Sequence, residues 1–336
     1  MEPMLFERRA FMAFLGYAVA SRSIPAASQS ATHPRIVGVL MGFAKDTETQ
    51  TRAEAFEQGL KDEGWSIGQE LRIEYRFSGG DFDRMRAFAE EFVTLNPDCI
   101  LGHSTPVVKA LMQATRTIPI VFVAVIDPIG SGFIASIQRP GGNVTGFTVF
   151  QGQTMAGKYL SILRQLIPQL SRVAIMYNPV SVPGAKTVFL PAFIEAAAYY
   201  QIEPITLEIL SSAEIESSFA QLAEKPSISL IVMPDNFMSI NRQLLITLAA
   251  RYRIPVIYPY RYFAEEGGLL SYGIDASDLF RRAAGYVSRV LRGANPAELP
   301  VQAPTKYELA INLKTAKELG IIVSTIMLAG ADLIIK

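Results

Sequence analysis

The sequence predicts an α/β protein built as two doubly wound parallel-sheet lobes joined by a hinge. Three observations carry this. The stretch Ile118-Pro119-Ile120-Val121-Phe122, followed by Val125-Ile126-Asp127-Pro128, recurs as Ile254-Pro255-Val256-Ile257-Tyr258-Pro259. The strands upstream of the two copies also match, Asn96-Pro97-Asp98-Cys99-Ile100-Leu101 against Lys225-Pro226-Ser227-Ile228-Ser229-Leu230-Ile231-Val232. Each strand-like run is continuously apolar rather than alternating, which marks strands buried on both faces, and each pair is separated by a helical pattern. Two β-α-β lobes imply a cleft between them.

The elements follow in order. Arg35 to Leu40 is a buried parallel strand ending in a loop through Gly42 and Phe43. A helix follows with Ala53, Phe56 and Leu60 on one face and Gly64 as its stop. Leu71 to Phe77 alternates and belongs near a sheet edge. Asp81 caps the next helix, whose core face carries Met85, Phe88 and Phe92. The strand around Ile100, a helix through Val108, Leu111 and Met112, and the strand at 118–123 complete a β-α-β-α-β-α-β series. The run from Arg139 to Phe147 is a turn and then a strand. A helix near 154–166 and the strand Arg172 to Tyr177 open the second lobe. A helix through Phe189, Phe193 and Ala197, a strand from Glu203 to Ile209, the strand Ile228 to Val232, a further helix and the repeat at Ile254 come next. Strand Leu269 to Tyr272 precedes a helix with Leu279, Ala283, Tyr286, Val287, Val290 and Leu291 at helical spacing.

The 336 residues allow about two domains of ordinary size. Half of them are apolar and 18% are charged, the balance of a globular chain with sizeable cores. Net charge is zero and no basic stripe stands out, so nucleic acid is not an expected partner. The single cysteine, Cys99, lies in an apolar strand as a small buried residue. At the amino terminus, Arg8-Arg9 precedes an apolar run from Ala10 to Ala20, and Ala18-Val19-Ala20 has the form of a cleavage site. That run is too short for the ~20 residues of a membrane span. Residues 1–27 are therefore expected to be a signal peptide of twin-arginine type, with a tether over 28–34 and a periplasmic product.

Ligands of open parallel sheets bind beyond the carboxyl ends of the strands. That rule selects Phe43, Ser104, Thr105, Asp127 and Pro128 from the first lobe, and Asn178, Asp235, Asn236, Tyr272 and Gly273 from the second. Ser104 and Thr105 stand at a helix start, where hydroxyls and free N–H groups suit a carboxylate. Asp127 and Asp235 can accept from an ammonium, and aromatic residues at the strand ends can stack on an apolar body. The set suits a small zwitterionic or polar-headed molecule. Ser104 and Asp235 read equally well as helix caps, and Tyr272 as a core aromatic. Enzyme signatures are missing: two histidines only, no Gly-x-Ser-x-Gly elbow, no phosphate loop and no dinucleotide fingerprint. No cofactor, metal site or catalytic residue is expected.

Several of these stretches together resemble one family. They are Ile118 to Phe122, Asp127-Pro128-Ile129-Gly130, Arg139-Pro140-Gly141-Gly142-Asn143-Val144-Thr145-Gly146, Tyr258-Pro259, Gly267 to Gly273, and Pro304-Thr305-Lys306-Tyr307-Glu308-Leu309. The resemblance is to ABC-transporter substrate-binding proteins related to tryptophan- and tyrosine-binding transport proteins, over about residues 35–335. It implies a type I periplasmic-binding-protein fold, closure over a small ligand, and permease and ATPase subunits as partners; the ligand itself does not follow from the resemblance, and the strand-end residues suit a carboxylate-bearing one of amino-acid-like or aromatic type, bound by a monomer. It also implies hinge crossings near Gly146-Phe147, Ser271-Tyr272 and Ala303-Pro304. The first lobe is then 35–146 plus 273–303, and the second 147–272 plus 304–336. Val323 to Gly330 departs from the family pattern at the last helix. The alternatives are a ligand-sensing module of the same fold that feeds a receptor, and an α/β enzyme using Asp127 or Asp235. A DNA-binding regulator of this fold needs a helix-turn-helix ahead of the first strand, where only ~34 residues stand.

Overall fold

Strands β1 (Arg35–Met41), β2 (Leu71–Phe77), β3 (Cys99–His103), β4 (Ile120–Val125) and β5 (Val144–Thr148) form one parallel sheet in the order β2-β1-β3-β4-β5. The structure is a computed structural model that describes residues 34–149 and 152–336. The expected leader over 1–27, and all of the tether but Pro34, lie outside the described residues. Helices α1 (Thr47–Asp62), α2 (Phe82–Leu95) and α3 (Thr105–Ala114) return the chain between these strands.

The order of strands follows from their burial. Strands β3 and β5 are buried throughout, as read from their continuous apolar runs, while β2 is half-buried at the edge. Phe56 and Leu60 of α1 and Met85 and Phe92 of α2 are buried, each at the spacing its helix predicts. Asp81 caps α2, accepting from the N–H groups of Asp83 and Arg84.

The second lobe holds α4 (Gly152–Leu166), β6 (Arg172–Tyr177), a π-turn (Ala185–Phe189) leading into α5 (Leu190–Tyr199), β7 (Glu203–Glu208), α6 (Ser212–Ala223) and β8 (Ile228–Val232). The short α7 (Asn236–Ile240), α8 (Arg242–Tyr252), β9 (Val256–Tyr258), α9 (Arg261–Glu265) and β10 (Leu270–Ile274) follow. Helix α10 (Ala276–Leu291) then returns to the first lobe, packing on α1 and on β3, β4 and β5. The chain ends in the second lobe with β11 (Tyr307–Asn312), α11 (Leu313–Leu319), α12 (Thr325–Ala329) and β12 (Leu333–Ile335). The second sheet runs β12-β11-β10-β9-β8-β6-β7. It departs from the all-parallel expectation at one described pair, because β10 and β11 are antiparallel. Ile326 of α12 is exposed, as is Ile322 in the loop before it.

The chain therefore crosses between sheets three times: between β5 and α4, at Asp275, and between Gln302 and β11. At the last two, Lys306 Nζ donates to Asp275 Oδ2 at 2.8 Å. Ala303 and the buried Pro304 lie on the third crossing. Gly146 and Phe147 instead stand inside β5, and Ser271 and Tyr272 inside β10. The reason at Gly146 is close backbone approach. It pairs with Phe122 at φ +151°, and a Cβ there would lie 2.0 Å from the Phe122 carbonyl oxygen.

Gly146→Ala is accordingly expected to destabilise the protein by about 2–5 kcal/mol, from backbone strain plus overpacking. Gly142→Ala, at a position open to space, should stay within about 0.5 kcal/mol of the parent. Urea midpoints at constant m-value measure both. Equal midpoints for the two variants would rule out the β4–β5 contact as the reason for the glycine.

Candidate functional site

Parallel strands deliver all their carboxyl ends to one edge of a sheet, and the two lobes turn those edges toward each other. The loops after β3 and β8 meet at a hydrogen bond between side chains 132 residues apart: Asn236 Nδ2 donates to Ser104 Oγ at 3.0 Å, and both residues are buried. The loop after β1 joins them. A Cβ on Gly42 would lie 2.5 Å from Asn236 Nδ2 and 2.7 Å from Ser104 Oγ. The loops after β4 and β6 approach as closely, with a Cβ on Gly184 falling 2.7 Å from Asp127 Oδ2. Arg242 reaches across to Asp46 at 3.6 Å.

The backbone at Ser104 is strained. It sits at φ +86°, ψ 156°, a region that favours glycine. Ser104 occupies the cap position of α3, yet its hydroxyl makes no cap bond and points to Asn236 instead. Thr105 Oγ1 accepts from the Ile126 N–H at 3.4 Å, and Pro106 stands in the first helical turn. Thr105, Pro106, Lys109, Val180 and Pro183 line a cavity of about 340 Å³ at the rim between the lobes.

Other residues expected in the site are spent on building it. Asp235 caps α7, accepting from Met238 N–H at 2.7 Å and from Asn178 N–H at 3.0 Å. Burial pushes its carboxyl up to about 7, against those backbone donors, which favour the charged form. Asn178 Oδ1 accepts from the N–H groups of Val180 and Ser181, and its Nδ2 donates to the Ile209 carbonyl. Asp127 Oδ1 accepts from Gly130 N–H at 2.8 Å, and the buried Pro128 continues the same turn. Tyr272 belongs to an aromatic group of the second lobe, stacked on Tyr307 at 5.9 Å and edge-on to Tyr159 at 6.3 Å. Gly273 lets Pro259 approach, since a Cβ there would meet the Pro259 carbonyl oxygen at 1.7 Å. The structure thus brings Phe43, Ser104, Thr105, Asn178, Asp235 and Asn236 to the facing loops, sets Asp127 and Pro128 beside Gly184, and leaves Tyr272 and Gly273 within β10.

Sequence reasoning missed the most unusual side chain of this region. Arg52 of α1 is only 3% exposed. Its guanidinium lies 5.4 Å from the ring centre of Phe43, 5.6 Å from Tyr260 and 5.8 Å from Tyr262. Its Nε has no hydrogen-bond partner, and no ion pair among the described residues includes it. A guanidinium does not deprotonate, so this charge stays. Each cation–π contact returns about 0.5–2 kcal/mol, against a desolvation penalty of several kcal/mol for a buried ion that no carboxylate bonds directly. The signal was present in the sequence as a charged residue in the buried stripe Thr49, Arg52, Phe56 and Gly59, and as tyrosines at 258, 260 and 262 behind a strand end. Phe43 also packs edge-on to His103 at 4.9 Å. Burial first, and the Arg52 charge second, hold that imidazole well below its ordinary pKa, so it is neutral. Cavities of about 180 Å³ and 300 Å³ flank Arg52, and Glu48 and Tyr262 line both.

Among the described residues no group of three His, Cys, Asp or Glu is placed to hold a metal. Cys99 is fully buried, and burial pushes its thiol up to about 12.

Two lobes, three crossings and facing strand ends match known proteins. The chain is 27% identical over 292 residues to a tyrosine-binding protein of Clostridioides difficile (strain R20291), spanning 87% of this chain and 79% of that protein. A solved domain from Streptococcus pneumonia in complex with L-Trp superposes with a TM-score of 0.82 at 26% identity, covering 90% of this chain and all of that one. A conserved domain protein of Vibrio cholerae O1 gives the same TM-score at 28% identity, over 89% of this chain and 99% of the other. The model of the family described as ABC transporter substrate binding protein matches residues 37–335. With its type I periplasmic-binding-protein fold, the chain belongs to that family of substrate-binding proteins.

Proposed function

We propose that this chain is the extracytoplasmic binding component of an ABC importer, taking a small carboxylate-bearing ligand between its lobes and delivering it to a permease. The observation that carries the reading is the contact of Ser104 with Asn236, which joins the strand ends of two lobes linked only by three crossings. A bound ligand adds contacts to both lobes and so favours the closed arrangement over an open one. Similarity to a tyrosine-binding protein and to a domain solved in complex with L-Trp supports an amino-acid-like, aromatic ligand. Phe43, Ser104, Thr105 and Asn236 are its proposed contacts. Asp127, Asp235 and Asn178 shape the loops around it. The Arg8-Arg9 leader supports export, and no helix among the described residues is long and apolar enough to cross a membrane. The released protein would work as a monomer with a separate permease and ATPase.

With L-tyrosine or L-tryptophan at saturation, small-angle scattering should record a smaller radius of gyration than in the ligand-free protein. An unchanged radius would argue for a rigid module. Ser104→Ala removes the hydroxyl between the lobes. It should weaken binding about 2- to 10-fold by calorimetry, the range of one neutral hydrogen bond. Gly42→Ala inserts a methyl group at the same junction and should abolish the ligand-induced contraction; a variant that still contracts like the parent would place the closure contact elsewhere. Amino-terminal sequencing of the exported protein should begin between Ser21 and Ser30, and an intact Met1 would refute cleavage.

A further inference from the structure

Beyond the contacts already described, the protein carries further cavities, buried ionisable groups, strained backbone positions and exposed apolar residues. Most have local explanations. Asp235 and Asn178 are fully hydrogen-bonded, Cys99 is an inert core thiol, and nothing indicates what would cover Ile322 and Ile326. Arg52 has no such explanation. It is a permanent charge, more than nine-tenths buried, with an unpartnered Nε. It lies where residues of both lobes converge, Phe43 from the first and Tyr260 and Tyr262 from the second. It borders empty volume on two sides. One turn earlier on the same helix, Glu48 lines both cavities and is itself half-buried. Glu48 makes no hydrogen bond among the described residues; burial raises its carboxyl pKa, and the Arg52 charge beside it opposes that rise.

We infer that Arg52 is the anchor for the ligand's carboxylate, that Glu48 faces its ammonium, and that Phe43, Tyr260 and Tyr262 enclose an aromatic side chain. This rests on the reading of the protein as a binder of small carboxylates and makes that class narrower, an aromatic α-amino acid. The guanidinium presents a planar fork that matches a carboxylate with two parallel N–H···O bonds. Its positive charge and the negative charge of Glu48 complement a zwitterion, within cavities whose walls also carry Asp46, Arg242, Arg261, Asp275 and Glu308. The rings around Arg52 supply flat apolar surface at a spacing that holds the cation by its face contacts. Opening of the lobes separates Tyr260 and Tyr262 from Arg52, so the charge is hydrated in the open form and seeks a counter-charge only on closing.

The test is calorimetry with three probes: L-tyrosine, tyramine, which lacks the carboxylate, and 3-(4-hydroxyphenyl)propionate, which lacks the ammonium. The parent protein should bind L-tyrosine at least ~30-fold more tightly than tyramine, as expected for loss of charge-assisted bonds. In Arg52→Met that preference should vanish, L-tyrosine falling to the affinity of tyramine, and Arg52→Lys should recover part of it. Glu48→Gln should weaken L-tyrosine and leave 3-(4-hydroxyphenyl)propionate unchanged. Thermal unfolding separates anchor from packing residue. Ligand-free Arg52→Met should melt at or above the parent temperature, because an unpaired buried charge has been removed, and should lose the tyrosine-induced rise. An Arg52→Met or Arg52→Lys protein that keeps the parent preference for tyrosine over tyramine overturns the assignment of Arg52 while the wider reading stands. Unchanged tyrosine affinity in Glu48→Gln overturns the assignment of Glu48. A parent protein that binds 3-(4-hydroxyphenyl)propionate but not L-tyrosine or L-tryptophan overturns the amino-acid class and leaves a carboxylate binder. No binding of any of these carboxylates would count against both.

Discussion

A parallel sheet must return each strand through a helix, so every strand in it ends at the same edge. Nearly everything else in this protein follows from that constraint applied twice. Each lobe offers a row of loops and helix starts at one edge. Three crossings, between β5 and α4, at Asp275 and at 303–306, join the lobes so that the two rows face each other. The return of α10 to pack on α1 means that neither lobe is a continuous piece of chain. The first lobe is completed by residues that follow the second, which ties the crossings to the integrity of both cores.

Polar groups at the facing edges divide by whether folding already uses them. Asp235 and Asn178 bond to backbone N–H and C=O groups of their own lobe, and their loss would unmake a loop before it touched a ligand. Ser104 is different. It departs from the backbone conformation of an ordinary cap and directs its hydroxyl to the opposite lobe. Strain of this kind persists only where the surroundings hold it in place, and here the surroundings are the junction itself. Arg52 is the extreme case, a buried charge packed on three aromatic faces with an unpartnered Nε and only Glu48, one turn away on its own helix, as an opposing charge. An ion so placed is costly to the empty protein and available to a partner.

Glycine serves the same construction at three points for steric rather than flexible ends. Gly146 admits the backbone of Phe122, Gly273 that of Pro259, and Gly42 the side chains of Ser104 and Asn236. The first two hold strands inside their sheets and the third lets the lobes touch. Gly146, Phe147, Ser271 and Tyr272, which read as lying near crossings, are strand interior, with the chain leaving each sheet just beyond them, after Thr148 and Ile274, whereas Ala303 and Pro304 lie on the third crossing itself.

The sequence by itself determined the architecture: two α/β lobes, the edge position of β2, the capping of α2 by Asp81, and the loops that face the cleft. These are local properties, written in the period of apolar residues, in cap chemistry and in the rule that places loops at strand ends. Only the tertiary structure decided which polar residues in those loops are free. Asn178 looked available, and Asp235 read equally well as a ligand contact or a cap, because their partners are main-chain groups of Met238, Val180, Ser181 and Ile209, and hydrogen bonds to main chain leave little trace in residue type. Arg52 drew no reading from the sequence because the rings that bury it come from positions 43, 260 and 262. The antiparallel pairing of β10 with β11 stayed hidden for the same reason, since strand direction depends on where the chain re-enters the sheet after α10. Burial and pairing are sums over contacts distant in the chain, and those sums exist only once the lobes are folded and brought together.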